Sequence, residues 1–344
     1  MVGSADWGAP LTKQTFASLQ RRLARAGFKR EFVQAALLPD WWEPACVGDP
    51  SVLPDIEIRV ARFLGVQISA LRDPSAQLGA PAYPGAQLRR VRDLDRERLA
   101  PAIHSAIQIA SAVARSLRPS VPSPAVPPTN GLKWRDTLLH PDSPIRLDDL
   151  LQNLWQRGIP VVPIDLLPTP SFQGLACISQ GRPVVLLAHK HDEPGRVAFL
   201  ICHEVGHIVA GDCQPDRPVV DEQEEVSDDA DMERRADRFA TQVLVGADTV
   251  PQVEASDARD LARAAAQIER EKRVDAGAVA FAWARGSHDY ATASSAVRAL
   301  YRASGARRLL RRHFDQWVDL DAATETDRTL LRCVYDPTAD AHSD

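Results

Sequence analysis

At 344 residues, with 44% apolar and 25% charged side chains, the chain has the composition of a folded protein and room for two or three domains, which excludes wholesale disorder. No run reaches the roughly 18 uncharged apolar residues of a membrane span, and no basic-then-apolar leader with a small-residue cleavage site opens the sequence, so a cytoplasmic protein without membrane contact is expected. The net charge of −5 divides unevenly, into +5 over 1–125, −9 over 126–250 and −1 over 251–344. A basic front beside an acidic middle suggests different partners for the two parts, and +5 is compatible with nucleic acid while falling short of a strong basic patch. Five scattered cysteines, without a C-x-x-C pair, argue against a disulfide framework and for a reducing compartment.

The predicted elements begin with helices. Leu11 to Ala26, Lys29 to Leu37 and Ile56 to Leu64 place apolar residues three and four apart, with Gly27 and Gly65 where C-caps fall. Ile103, Ile107, Ala110 and Val113 mark a further amphipathic segment. It runs into Pro119–Asn130, where five prolines in twelve residues remove backbone donors and forbid both helix and central strand. Residues 1–118 are therefore read as a helical domain and 119–130 as a proline-rich linker.

Beyond the linker the pattern changes. Leu147 to Arg157 reads as a helix stopped by Gly158 and Pro160, followed by β-like runs at Ile159–Ile164, Gly174–Ser179 and Pro183–Ala188, with Gly181 suited to a hairpin turn. Helices follow from about Gly195 to Ala210 and, after an acidic stretch at 221–231, from Asp231 to Val245. Further helices are predicted at 257–271, 276–285, 291–303 and 305–318. The expected units are 131–250, a helical region over 251–336 and a frayed tail at 337–344.

The decisive feature is His203-Glu204-Val205-Gly206-His207. Two histidines four apart on a helix share one face, so both imidazoles can reach one zinc ion at about 2.0–2.1 Å. Glu204 sits beside that face, where a carboxylate takes the proton of a water that zinc has acidified. The pentad arises by chance in roughly one chain in a hundred of this length, so it asks for a third ligand. Asp231–Leu244 supplies one: Met232, Ala236, Phe239, Ala240, Val243 and Leu244 form an apolar stripe that would pack this helix on the histidine helix. Glu233 borders the stripe and is assigned as the third ligand; Asp237, one turn on, is assigned to orient a ligating histidine through its free ring N–H. The competing reading is that both acids decorate a solvated face, and seven further acids at 221–231 mean that composition alone does not single out Glu233.

These residues resemble the ImmA/IrrE family of zinc endopeptidases, which show H-E-x-G-H followed by E-x-x-A-[N/D]-x-F-A; here Glu233-Arg-Arg-Ala-Asp-Arg-Phe-Ala fills the second motif. The resemblance spans roughly Leu147 to Val250, and the hairpin and the Arg196-containing helix start are also similar. It implies a compact, small zincin-like domain with a short β-sheet, which, with the helical N- and C-terminal regions read on either side, makes the expected fold α+β and mostly helical. It implies Zn2+ held by residues matching His203, His207 and Glu233, with Glu204 as general base. It further implies a specific protein substrate, a helix-turn-helix repressor cleaved in stress, DNA damage or mobile-element induction, with single-stranded DNA as an activating signal for some members. The sequence departs from the family pattern in Cys202, where a small residue is more usual, and in the long acidic stretch 221–231. Cys202 is either a soft ligand or redox sensor, or, as cysteines in apolar helices more often are, a small buried hydrophobe.

Ile56–Asp73 is similar to the last two helices of a Cro/C1-type helix-turn-helix domain. Leu38-Pro-Asp-Trp-Trp-Glu-Pro44 is a poor match to a recognition helix, which offers polar side chains to bases; the region is read as degenerate, either partner-binding or DNA-reading. The alternative function is accordingly a DNA-binding regulator whose protease-like domain acts as a sensor or partner-binding module. His189 and His191, the arginines at 307, 308, 311 and 312, and an oxyanion role for His288 or Tyr290 are weaker candidates, because nothing in the sequence places them at the metal.

Overall fold

The computed structural model describes residues 15–81, 83, 87–88, 93–140, 143–215, 218–221, 230–249, 251–301 and 305–334, with backbone alone for 87–88, 93–96, 221, 230 and 285. The tail expected at 337–344, most of the acidic stretch at 221–231 and the start of the helix expected from Leu11 lie outside them.

Four short helices come first: α1 (Phe16–Arg25), α2 (Arg30–Ala36), α3 (Leu53–Leu64) and α4 (Ile68–Arg72). Apolar spacing of three and four buries Leu19, Leu23, Phe32, Val33, Ile56 and Val60 on their inner faces. Thr15 caps α1, its hydroxyl accepting the Ser18 N–H at 3.2 Å, and Gly65 ends α3 in the left-handed conformation at φ 67°. Leu37–Glu43 carries no α-helix. There Trp42 packs near Phe16, with ring centroids 5.6 Å apart, while Trp41 is half exposed.

Helix α5 (Asp93–Arg115) is the long amphipathic segment, with Ile103, Ala106, Ile109, Ala110 and Val113 buried. The proline-rich stretch after it is irregular, as its missing donors require. It is nonetheless tied down: Ala125 N–H donates to the Arg157 carbonyl at 2.9 Å, and Arg182 donates to the Pro122 carbonyl at 2.9 Å.

A five-stranded sheet has the order β1-β5-β3-β4-β2, from β1 (Gln87–Leu88), β2 (Val161–Pro163), β3 (Gly174–Ser179), β4 (Arg182–Leu187) and β5 (Val219–Asp221). β3 and β4 form the expected hairpin, turned by Gln180 and Gly181 at positive φ, and β2 joins β4 in parallel. β5 pairs antiparallel with β3, and β1 parallel with β5; these two strands, of two and three residues, are too short to leave a periodic signal.

Strand alternation places Leu175, Cys177, Val184 and Leu186 in one core, with residues of α1–α5. It places Ala176, Val185, Leu187 and Val219 in another, with residues of α6 (Gly131–Leu138), α7 (Leu147–Gln156), α8 (Pro194–Ala210) and α9 (Ala230–Val245). The sheet is thus buried on both faces. Helices α10 (Ala258–Lys272), α11 (Ala276–Ser287) and α12 (Tyr290–Leu300) share a smaller core around Leu261, Phe281 and Val297.

Helices α13 (Ala306–Trp317) and α14 (Glu325–Leu331) are the last two among the described residues. α14 returns to the N-terminal layer, where Arg115 Nε donates to Asp327 at 3.0 Å and Arg332 pairs with Asp40. The architecture is α+β and mostly helical, with a short mixed sheet between flanking helices, as expected.

Candidate metal centre

Helix α8 starts on Pro194, whose fixed φ suits a first turn, and stops at Gly211 with φ 77°. Between them Val197, Ala198, Ile201, Cys202 and Val205 are buried, so the helix is enclosed along most of its girth. His203, Glu204 and His207 are buried with it, at 1%, 0% and 0% exposure. The expected stripe of α9, from Met232 to Leu244, is buried too, and Glu233 comes with it at 6%.

Gly206 makes the two helices meet: a Cβ there would lie 2.9 Å from Ala236 Cα and 3.2 Å from its carbonyl oxygen. This approach brings Glu233 Oε2 to 3.3 Å from His203 Nε2 and Glu233 Oε1 to 3.6 Å from His207 Nε2. The two Nε2 atoms are 3.1 Å apart.

The opposite ring nitrogens fix the chemistry of this cluster. His203 Nδ1 lies 2.8 Å from Asp237 Oδ1, and His207 Nδ1 lies 3.1 Å from Asp212 Oδ2. A carboxylate accepts only, so each Nδ1 carries the proton it donates, and each neutral ring turns an Nε2 lone pair inward. Burial lowers the His207 pKa and so favours the neutral ring, partly opposed by the Asp212 hydrogen bond. Two lone pairs and a carboxylate then converge on one small volume, their ligating atoms all within 4.8 Å of one another. Such a set repels itself unless a cation sits in it, and two imidazoles with one carboxylate suit zinc while leaving one tetrahedral position open.

Glu204 lies beside this set, under the start of β3. A Cβ on Gly174 would collide with Glu204 Oε1 and sit 2.9 Å from its Cδ, so glycine lets the carboxyl lie against the strand backbone. The sequence did not point to Gly174 or Asp212. Asp212 follows the α8 C-cap, where the chain folds back under His207; an acid five residues after the second histidine was the available signal. Arg235 of α9 reaches Asp212 Oδ1 at 3.4 Å.

The weaker candidates fall elsewhere. Cys202 is fully buried, and burial pushes its thiol pKa up, which suits a small core residue. Arg307 and Arg311 pair with Asp165, and Arg312 with Asp148, so three of the four arginines are engaged within the chain. His288 is exposed at the end of α11, whereas the Tyr290 ring packs under Arg196, 5.3 Å from its guanidinium carbon. His189 and His191 stack on each other with centroids 5.3 Å apart, and neither belongs to the group of ligating atoms.

Residues 157–283 match a peptidase family model described as the IrrE N-terminal-like domain. That span includes β2 to β5, the helices α8 and α9 that carry the cluster, and most of α11. No curated protein matches the chain.

Proposed function

We propose that the chain is a zinc-dependent endopeptidase of the ImmA/IrrE kind that cleaves a specific protein substrate. The observation that carries this reading is the convergence of His203 Nε2, His207 Nε2 and a Glu233 oxygen in a buried cluster beside Glu204. The peptidase family match over the same residues supports it.

In this reading His203, His207 and Glu233 hold the metal. Bound zinc supplies Lewis acidity and brings the pKa of a water towards neutrality. Glu204, fixed against Gly174, is the carboxylate that would take a proton from the attacking water and return it to the departing amine. Asp237 and Asp212 keep both imidazoles in the tautomer that offers Nε2. The buried setting strengthens each of these electrostatic contacts.

The substrate we propose is a helix-turn-helix transcriptional repressor in the cytoplasm, cleaved in a stress, DNA-damage or mobile-element response. The family resemblance suggests this setting, and single-stranded DNA is the activating signal it suggests. Among the described residues no helix is long and apolar enough to cross a membrane. The test is incubation of the zinc-loaded chain with any helix-turn-helix repressor found encoded beside it. Cleavage that chelation abolishes, and that Glu204→Gln lacks, supports the proposal; an intact repressor under all conditions refutes this substrate.

A further inference from the structure

Arg196 lies seven residues before His203 on α8. Seven residues are close to two turns, so both side chains share one face of the helix, about 10 Å apart along its axis. The Arg196 guanidinium carbon stands 5.6 Å from the Phe281 ring centre and 5.3 Å from that of Tyr290. These rings hold the planar group in place without consuming its N–H donors. Among the described residues it makes no ion pair, and Glu193 acts on it only at longer range.

His189 lies close by. It follows β4, whose last residue, Leu187, pairs with the Gly174 that touches Glu204. Its Nδ1 accepts the His191 N–H at 3.1 Å. The neutral ring therefore carries its proton on Nε2, and that atom is shut off from solvent with no acceptor among the described residues. Burial and then the charges of His191, Arg196 and Arg307 hold the His189 pKa down, to about 3. The acids nearby are otherwise occupied: Asp165 pairs with Arg307 and Arg311, and Asp192 accepts the Arg307 backbone N–H. The His189 Nε2–H is thus a buried donor with nothing among the described residues to receive it, within electrostatic reach of a partly exposed Arg196 guanidinium that makes no ion pair among them. The arrangement is costly for the histidine unless a ligand supplies an acceptor.

We propose that Arg196 and His189 form a carboxylate-recognising subsite that takes an acidic residue of the substrate polypeptide. It rests on the endopeptidase reading for its place beside the scissile bond. An extended peptide advances about 3.3 Å per residue, so the acidic residue lies about three positions from the bond cleaved. The chemistry belongs to any small oxyanion, and inorganic phosphate is the other source to be separated from a peptide.

The test uses the full-length chain carrying Glu204→Gln and loaded with zinc, which leaves a bound peptide intact. Two fluorescein-labelled peptide pools, otherwise free of acidic residues, carry one fixed Glu or one fixed Gln and are titrated by anisotropy. We expect the Glu pool to bind about tenfold more tightly, as a charge-assisted contact gives. Adding Arg196→Gln should erase that preference, and His189→Gln should reduce it, with zinc content and circular dichroism unchanged in at least one of them. Equal binding of the two pools, no binding of either, or a preference that survives both substitutions overturns the proposal. So does Arg196-dependent binding of inorganic phosphate without a preference for the Glu pool. Cleavage by the wild-type chain is scored separately. A Glu preference without cleavage refutes the peptidase reading and leaves the subsite standing, and cleavage without a Glu preference does the reverse.

Discussion

Gly206 and Ala236 are a point of close contact between α8 and α9, with room at Gly206 for a hydrogen and nothing larger. The glycine inside the His-Glu-x-x-His helix is therefore a packing requirement for Glu233, the proposed third ligand, since a wider spacing of α8 and α9 would withdraw it from both imidazoles. Gly206→Ala should destabilise the fold by about 1–3 kcal/mol through overpacking and also weaken zinc binding. Urea denaturation of the metal-free protein, together with a zinc competition titration, checks both effects. A variant with wild-type zinc affinity would contradict the coupling.

Asp212 should matter to metal affinity although it touches no metal. Asp212→Ala leaves His207 Nδ1 without its acceptor, so the ring loses the restraint on its tautomer and orientation. We expect about 10- to 100-fold weaker zinc binding. Arg235→Ala removes only an exposed partner 3.4 Å from Asp212 and should have little effect. Equal losses in the two variants would place the role in the ion pair instead.

Gly174→Ala separates the carboxyl from the metal site. The three atoms nearest the added methyl all belong to Glu204, so that carboxylate is the group it would displace first. Turnover should fall by about a hundredfold, the cost of a displacement near 1 Å, while zinc content stays at the wild-type level. Loss of zinc in parallel with turnover would show that the strand supports the whole cluster.

His104 makes stability depend on pH away from the metal. It is buried under Phe63, with Nε2 2.6 Å from the Phe63 carbonyl oxygen and Nδ1 2.9 Å from the Tyr83 hydroxyl. Burial lowers its pKa, partly opposed by the Phe63 hydrogen bond. The unfolded chain takes up a proton near 6.5, the ordinary histidine value, and the folded chain does so only at lower pH. The folded state is thus unpenalised above 6.5 and loses stability as pH falls below it. Urea midpoints at pH 7.5 and 5.5 should differ less in His104→Gln than in wild type. An identical difference would remove His104 from the account.

The centre of the site was legible because helical spacing carries it. His203 and His207 share a face by arithmetic, and the Met232-to-Leu244 stripe distinguishes Glu233 from the acids before it by telling which side of α9 is buried. Gly174 and Asp212 were not legible, since one acts through a sheet laid over α8 and the other through a chain reversal. β1 and β5 escaped for want of length, and α6 and α14 for want of more than two turns of pattern. Residues 119–130 read correctly as irregular, but their bonds to Arg157 and Arg182 depend on partners that sequence spacing does not reveal.

The most direct test is the zinc content of the purified full-length chain, measured for wild type, Glu233→Ala and Asp231→Ala. Asp231 lies two residues away on the same helix but is 86% exposed, whereas the Glu233 side chain is 8% exposed. We predict about one zinc per chain in wild type and in Asp231→Ala, and a sharp loss in Glu233→Ala. Full zinc occupancy in Glu233→Ala, or none in wild type, would contradict the account.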